Sequence, residues 1–445
     1  SWLGTCETFH LRNFWSSLGR GVSQDYLVKV TGNSLKILIL CPHFAPDTAP
    51  TGVIMDRIVH ELCELGHEIH VVTSLPWYRR HQIDIGWENT SWRRRTQVMD
   101  WGSVVRLNPF AGSDKRNLWR RALGFAGFSV LAVAAGIRAG RGQRVDVIVA
   151  MSPPLTLGLG ARLVGICRRA PVIFNIQDVF PDAAIETGAM SNPFVIALAR
   201  LLEKVSYRSS RLITVLSDDL QANVLAKIPA RDADKVVVIP NFVDTEVIQP
   251  LDRHTAYRSE LGIGEQQIVM YAGNVGFSQS LHLLLDAARE LPDVAFVING
   301  DGSARQSLEV DAVGLQNIYF ADFQPAERLA EVLATADVHV VALRQGLGKV
   351  SVPSKTYSIM AAGRPIVAAI DHGTQVPRLI EQADCGVVVP PDDSAAFVVA
   401  LQTVLSDTQR MTEMGHRARV FVESQASPQV VAHRYVDLIR GLQAR

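Results

Sequence analysis

At 445 residues the chain is too long for one ordinary core, so two or three domains are expected. Its composition, 48% hydrophobic and 20% charged without a low-complexity tract, is that of a globular protein and argues against a disordered chain. The formal net charge is zero but unevenly spread: residues 1–200 carry 22 Lys and Arg against 15 Asp and Glu, and the remainder 22 against 29. A basic first half suits anionic lipid or a phosphorylated substrate.

Residues 1–34 lack a clean apolar core segment, so they make a poor secretory signal and read as a disordered lead or an upstream translation artefact outside the fold. From Leu35 a rhythm begins. KILILC (36–41) is a continuous apolar run, as expected of a strand buried on both faces. VIMDRIVHELCELG predicts an amphipathic helix ending at Gly66, and EIHVVT (68–73) the next strand. DVIVAM, PVIFNI, RLITVL and KVVVIP follow, mostly with helical stretches between them. Strand–helix alternation predicts a parallel, doubly wound sheet. The pattern lapses over 241–265 and then restarts. QIVMYAGN, a helix near 281–291, VAFVINGDG, NIYF, a helix near 325–335, DVHVVAL and GVVVPP describe a second such domain. The expected organisation is 35–245, a connection over 246–265, 266–426, and a last helix within 427–445.

One segment departs from this rhythm. ALGFAGFSVLAVAAGI (122–137) is uncharged and lies between Lys115, Arg116, Arg120, Arg121 and Arg138, Arg141, Arg144. Spanning a bilayer takes roughly 20 apolar residues, so a span is rejected. A core helix with solvated ends and a basic helix lying on an anionic membrane both remain open. The five cysteines (Cys6, Cys41, Cys63, Cys167, Cys385) form no C-x-x-C pair and read as reduced core thiols of a cytosolic protein. No H-E-x-x-H occurs, and His67 and His70 read as structural.

Several loops leave strand ends, where open parallel sheets bind ligands. PHFAPDTAPTG (42–52) brings Thr51 and Gly52 before a helix, free to face a phosphate or a sugar hydroxyl. It is not G-x-G-x-x-G, and no acidic residue closes the second strand, which argues against a nicotinamide-dependent oxidoreductase. NIQDVFPDAA (175–184) offers Gln177, Asp178 and Asp182, as helix caps or substrate contacts. In YAGNVGFSQSL (271–281), Gly273 and Gly276 permit close backbone approach, while Asn274 and Gln279 can hydrogen-bond phosphate oxygens. NGDGS adds Gly302. VPSKTYSIMAAGRPIVAAID (352–371) places Ser354 as a helix N-cap with Lys355 behind it, and Lys349 and Lys355 are the cations nearest the cleft. A diphosphate here would be neutralised by Lys355. Nucleic-acid binding is disfavoured, because the basic residues flank an apolar helix without interleaved aromatics. No D-x-D follows a strand, and the adjacent Asp218-Asp219 reads as a helix cap.

Together, YAGNVGFSQSLHLLLDAA, GLQNIYFADFQPAERLAEVLATADVHVVAL and VPSKTYSIMAAGRPIVA resemble family 4 glycosyltransferases of the two-domain GT-B fold. The resemblance covers about Leu35 to Val436 and is greatest to the bacterial surface-polysaccharide fucosyl and N-acetylfucosaminyl transferase subgroup. It implies two Rossmann-like domains facing a cleft and retaining, metal-independent sugar transfer from a nucleotide diphosphate donor, a UDP-sugar favoured. It also implies no cofactor and a lipid-linked or envelope glycan acceptor. The basic flank of the uncharged helix adds the expectation of work at the inner face of the cytoplasmic membrane, with Arg116, Arg120 and Arg121 as lipid contacts. By resemblance Gly273, Asn274 and Gln279 line the donor pocket beside Lys355, Gln177 and Asp178 lie near the reacting sugar, and Thr51 and Gly52 sit across the cleft. Gly302, Lys349, Ser354 and Ser358 join the expected donor pocket from their places in the neighbouring loops. Two glutamates usual in the family are replaced by Val350 and Ser358. A GT-B sugar-nucleotide epimerase and a catalytically silent nucleotide-sugar-binding protein are the alternatives.

Overall fold

Strand β1 (Lys36–Leu40) is almost wholly buried, as an uninterrupted apolar run requires. Helix α1 (Pro50–Glu64) follows, then β2 (Glu68–Ser74), β3 (Arg95–Met99), β4 (Gly102–Leu107), α2 (Leu118–Arg138), β5 (Val147–Ser152), α3 (Thr156–Arg168) and β6 (Val172–Ile176). Next come α4 (Pro193–Ser209), β7 (Leu212–Val215), α5 (Asp218–Leu225) and β8 (Val236–Val238). The computed structural model describes residues 34–444 except 79–82, 85, 88–94, 109–117, 178–179, 183–184, 186–191 and 349–352, and except the side chains of Arg95 and of 118–123. The eight strands form one sheet in the order β3-β4-β2-β1-β5-β6-β7-β8, parallel except for the β3–β4 pair. Helices α2 to α5 pack on one face and α1 on the other.

After a connection carrying the short helix α6 (Ala256–Glu260), the second domain runs β9 (Ile268–Ala272), α7 (His282–Glu290), β10 (Ala295–Asn299), α8 (Arg305–Asp311), β11 (Ile318–Ala321), α9 (Leu329–Thr335) and β12 (Val338–Ala342). It continues with α10 (Lys355–Ala361), β13 (Ile366–Ala369), α11 (Gln375–Ala383), β14 (Gly386–Val389), α12 (Ser394–Leu405) and α13 (Thr408–Gln425). Its six parallel strands are ordered β11-β10-β9-β12-β13-β14. Two doubly wound parallel sheets are therefore the architecture. The final helix α14 (Pro428–Gln443) returns to the first domain, where Val431, Tyr435 and Ile439 join the core beneath β1 and α1. A salt bridge also links the domains: Arg378 on α11 pairs with Asp219 on α5 at 2.7 Å.

Some local expectations are corrected. Helix α1 starts at Pro50, whose fixed φ suits a first helical turn, so Thr51 and Gly52 lie inside that turn rather than before it. The β3–β4 hairpin was not anticipated. The helix expected over 325–335 is a 3₁₀ turn, Ala326–Arg328, leading into α9. Cys41 and Cys385 are buried, with thiols pushed up to about 12 by burial, but Cys167 is exposed on α3. Helix α2 contains the uncharged segment, and no described helix is long and apolar enough to cross a membrane.

Candidate active site

In each sheet the strand order reverses once, between β1 and β5 and between β9 and β12. The loops splay apart there and leave a crevice at the carboxyl ends of the strands. At the β9/β12 reversal lies a cavity of about 420 Å³. Gly273, Asn274 and Gln279 line it from the loop after β9, Asn299 from β10, Leu343 from just after β12, Ser354 from just before α10, and Lys355 and Ser358 from its first turns. Phe323, Gln324 and Pro325 close it from the loop after β11.

Lys355 dominates the electrostatics. Its Nζ sits 3.6 Å from the centroid of the Tyr271 ring, a cation–π contact. No carboxylate among the described residues pairs with it. Burial alone pushes its pKa down from 10.5 to about 7. Gly273 makes this placement possible: its φ is +140°, and a Cβ there would stand 2.8 Å from Lys355 Nζ. Tyr271 donates its hydroxyl proton to the Asn274 carbonyl at 2.6 Å, which fixes the ring under the ammonium. An uncompensated, desolvated cation lining a cavity is suited to receive an anion, with charge-assisted bonds as the gain.

Other expected roles change. Ser354 occupies the position before α10 but has helical dihedrals and makes no capping bond, so it is exposed cavity wall rather than an N-cap. Helix α10 is only seven residues long, which leaves Lys355 as the main source of positive charge. Gly302 does not line the cavity. A Cβ there would come within 2.4 Å of the Val275 carbonyl oxygen, so its role is to let the loops after β9 and β10 close against each other. Gln279 Oε1 accepts the Gly276 N–H at 3.0 Å and braces the glycine loop from within. Lys349, Val350, Asp178, Arg116 and the side chains of Arg120 and Arg121 lie outside the described residues.

On the first domain Gln177 is buried and donates through Nε2 to Asn175 Oδ1 at 2.6 Å. Asn175 in turn donates to Thr214 Oγ1 and, at 2.9 Å, to the hydroxyl of Tyr435 on α14. Asp182 is a structural anion: Lys227 pairs with it at 2.6 Å and Asn223 donates to it. Asp219 follows the true cap, Ser217, and serves the bridge to Arg378. His67 accepts the Leu35 N–H, and His70 contacts Ser103 and Glu68, both structural.

Sequence reasoning missed a pair in the loop after β1. His43 Nδ1 meets Asp47 Oδ2 at 2.7 Å. Asp47 is 2% exposed and its other oxygen accepts the Tyr78 N–H. Trp77 and Tyr78 pack on the imidazole with centroids 5.5 Å away. With Nδ1–H donating to Asp47, Nε2 carries the lone pair. Gly52 lets α1 press on His43, since a Cβ there would come 3.0 Å from His43 Cβ. This pair lies at the β1/β5 reversal of the first sheet. A His and an Asp four positions apart in an irregular loop carry no sequence signature. No group of three or more metal-ligating side chains occurs among the described residues.

The comparisons agree with this geometry. Residues 51–241 match the model described as glycosyl transferase 4-like domain, and residues 266–407 the model described as glycosyl transferases group 1. WcaI of Escherichia coli K12, assigned to colanic acid biosynthesis as a glycosyl transferase, is 26% identical over 92% of this chain and 100% of its own length. WbjE of Pseudomonas aeruginosa, assigned as a glycosyltransferase, is 27% identical over 75% of this chain and 83% of its length. In fold, sucrose-phosphate synthase from Thermosynechococcus elongatus superposes with a TM-score of 0.67 at 16% identity, over 92% of this chain and 99% of that one. Anabaena HepE in complex with UDP superposes with 0.64, also at 16% identity, over 92% and 100%. With one family model on each doubly wound domain and relatives along nearly its whole length, the chain belongs to the GT-B glycosyltransferases of family 4.

Proposed function

We propose that the protein transfers a sugar, with retained anomeric configuration and without a metal, from a UDP-sugar to a lipid-linked or cell-envelope glycan acceptor. The observation that carries this reading is Lys355, without a carboxylate partner among the described residues and held between Tyr271 and Gly273 in the cavity wall. As the bond between C1 of the sugar and the diphosphate oxygen breaks, negative charge grows on the leaving group. A preplaced ammonium in a site of low polarity is the kind of group that stabilises such charge most. Asn274, Gln279 and Ser358 supply polar contacts in place of the absent family glutamates. Across the cleft, His43 Nε2 accepts a hydrogen bond from the acceptor hydroxyl, with Gln177, Asp178, Thr51 and Gly52 completing that side. The assignment of WcaI to colanic acid biosynthesis supports the acceptor class. The basic flank of α2, with Arg116, Arg120 and Arg121, meets anionic lipid at the inner membrane face, which also fits a cytoplasmic enzyme.

The test is nucleotide release from UDP-, GDP- and dTDP-sugars, with and without a membrane lipid extract, followed by NMR of the product anomer. Release from a UDP-sugar that requires lipid is expected. Consumption without any acceptor would indicate an epimerase, and binding without release a silent site. For the acceptor side, His43→Ala should lower kcat at least about tenfold while UDP affinity stays unchanged. Equal loss of UDP affinity would remove His43 from that role.

A further inference from the structure

Helices α2, α3 and α4 lie side by side over one face of the first sheet, and their inward residues are ordinary core: Phe128, Ala132, Leu157, Val164 and Tyr207. Their outward faces are not ordinary surface. On α4, Phe194, Leu198, Leu201 and Val205 form a stripe at helical spacing, all exposed, Phe194 by 79%. On α3 Leu163 and Ile166 are exposed, and on α2 Val130 and Leu131, Val130 by 70%. Eight of the 21 large hydrophobic side chains exposed among the described residues therefore sit on three adjacent helices. Single exposed leucines need no explanation, but a clustered face does.

The charge around this face has one sign. Arg138, Arg162, Arg169, Arg200, Lys204 and Arg208 are exposed on or at the ends of the same helices. The sequences of α2 and α3 contain no acidic residue at all. The only one in α4, Glu203, is buried and held by Lys227 and Tyr207. An apolar stripe set among cations, with no surface anion on the three helices themselves, is complementary to a lipid surface that is apolar below and anionic above. A second copy of the chain fits badly. A two-fold interface sets a patch against itself, which here would oppose cations with cations.

We propose that the outer face of α2, α3 and α4 is the surface on which the protein lies against an anionic lipid bilayer. The proposal rests on the reading of a membrane-held acceptor and extends the contact from one helix end to a face three helices wide. The leucines and Phe194 enter the boundary between headgroups and acyl chains, and the arginines stay at the phosphates.

Flotation of the full chain with phosphatidylcholine vesicles, with and without phosphatidylglycerol, tests it. Binding is expected only to the anionic vesicles and should fall with salt. Reversing two cations, Arg162→Glu with Arg208→Glu, should weaken binding by more than about 25-fold, since each cation near such a surface contributes roughly fivefold. Leu163→Glu with Leu198→Glu should abolish it. Because all four positions are exposed, melting temperature and nucleotide release with a water-soluble acceptor analogue should not change. Failure of the wild-type chain to float, or flotation of both double variants, overturns the proposal. Loss of a dimer by light scattering in the leucine variant, without wild-type flotation, would instead assign the face to a second copy. Flotation without turnover of any donor would leave this surface standing and sink the transferase reading.

Discussion

Lys355 makes the proposed donor site testable through protons. In the free protein its pKa is lowered from 10.5 to about 7. The gap corresponds to about 5 kcal/mol, an upper bound because the side chain is only half-buried. The sign follows from linkage. The folded pKa lies below the unfolded one, so between about 7 and 10.5 the unfolded chain binds the extra proton and stability rises with pH. The cost of burying the charge is fully present below pH 7 and is gone above 10.5. Lys355→Met should therefore raise the melting temperature at pH 6 and lose that advantage as the pH is raised. A diphosphate bound at the ammonium restores the charged form. UDP binding at pH 8 should then take up close to one proton, measured by calorimetry in two buffers of different ionisation enthalpy. UDP affinity should fall about tenfold for each pH unit above 7. Pushing Lys355→Met below detectable UDP binding completes the pattern. Binding without proton uptake, or with the same affinity at pH 6 and pH 9, would refute the assignment of Lys355 to the diphosphate.

Gly273→Ala forces a left-handed backbone on a residue with a side chain and drives its methyl into Lys355. Stability should drop by about 1–3 kcal/mol in a denaturant titration, and UDP binding should be lost. The Arg378–Asp219 bridge between the domains is partly wet, so a double-mutant cycle should give a coupling of about 0.5–1 kcal/mol. The same pair of variants should enlarge the radius of gyration seen by small-angle scattering, and unchanged scattering would show that the bridge does not hold the cleft. Tyr435→Phe removes one acceptor from Asn175 and should cost about 1 kcal/mol by thermal melting.

The alternation of buried strands and helices was legible because parallel strands covered on both faces must be apolar throughout. The β3–β4 hairpin was not. At the sheet edge Thr96, Val98 and Met99 are all exposed, so TQVM carries no continuous apolar run, and it follows three arginines. Lys355, Gly273, Asn274, Gln279, Ser354 and Ser358 converge on one cavity as the order of loops suggested, because each follows a strand at one end of the second sheet. Ser354 misled because a residue type favoured at caps guarantees no cap geometry. Gly302 misled because a glycine needed for contact between two backbones looks the same in sequence as one that faces a ligand. Burial of Lys355 against Tyr271 is a tertiary fact, set by residues 84 positions apart.

The return of α14 to the first domain has a consequence for how the chain is made. Ile37 and Ile39 on β1 and Val59 on α1 share a cluster with Val431, Tyr435 and Ile439. During synthesis those early residues emerge long before α14, which can be delivered only after the entire second domain has been translated. Until then the first domain presents an open apolar seam, the kind of surface that invites aggregation or a chaperone. The two domains therefore cannot mature strictly one after the other, because a helix translated after the second domain completes the first.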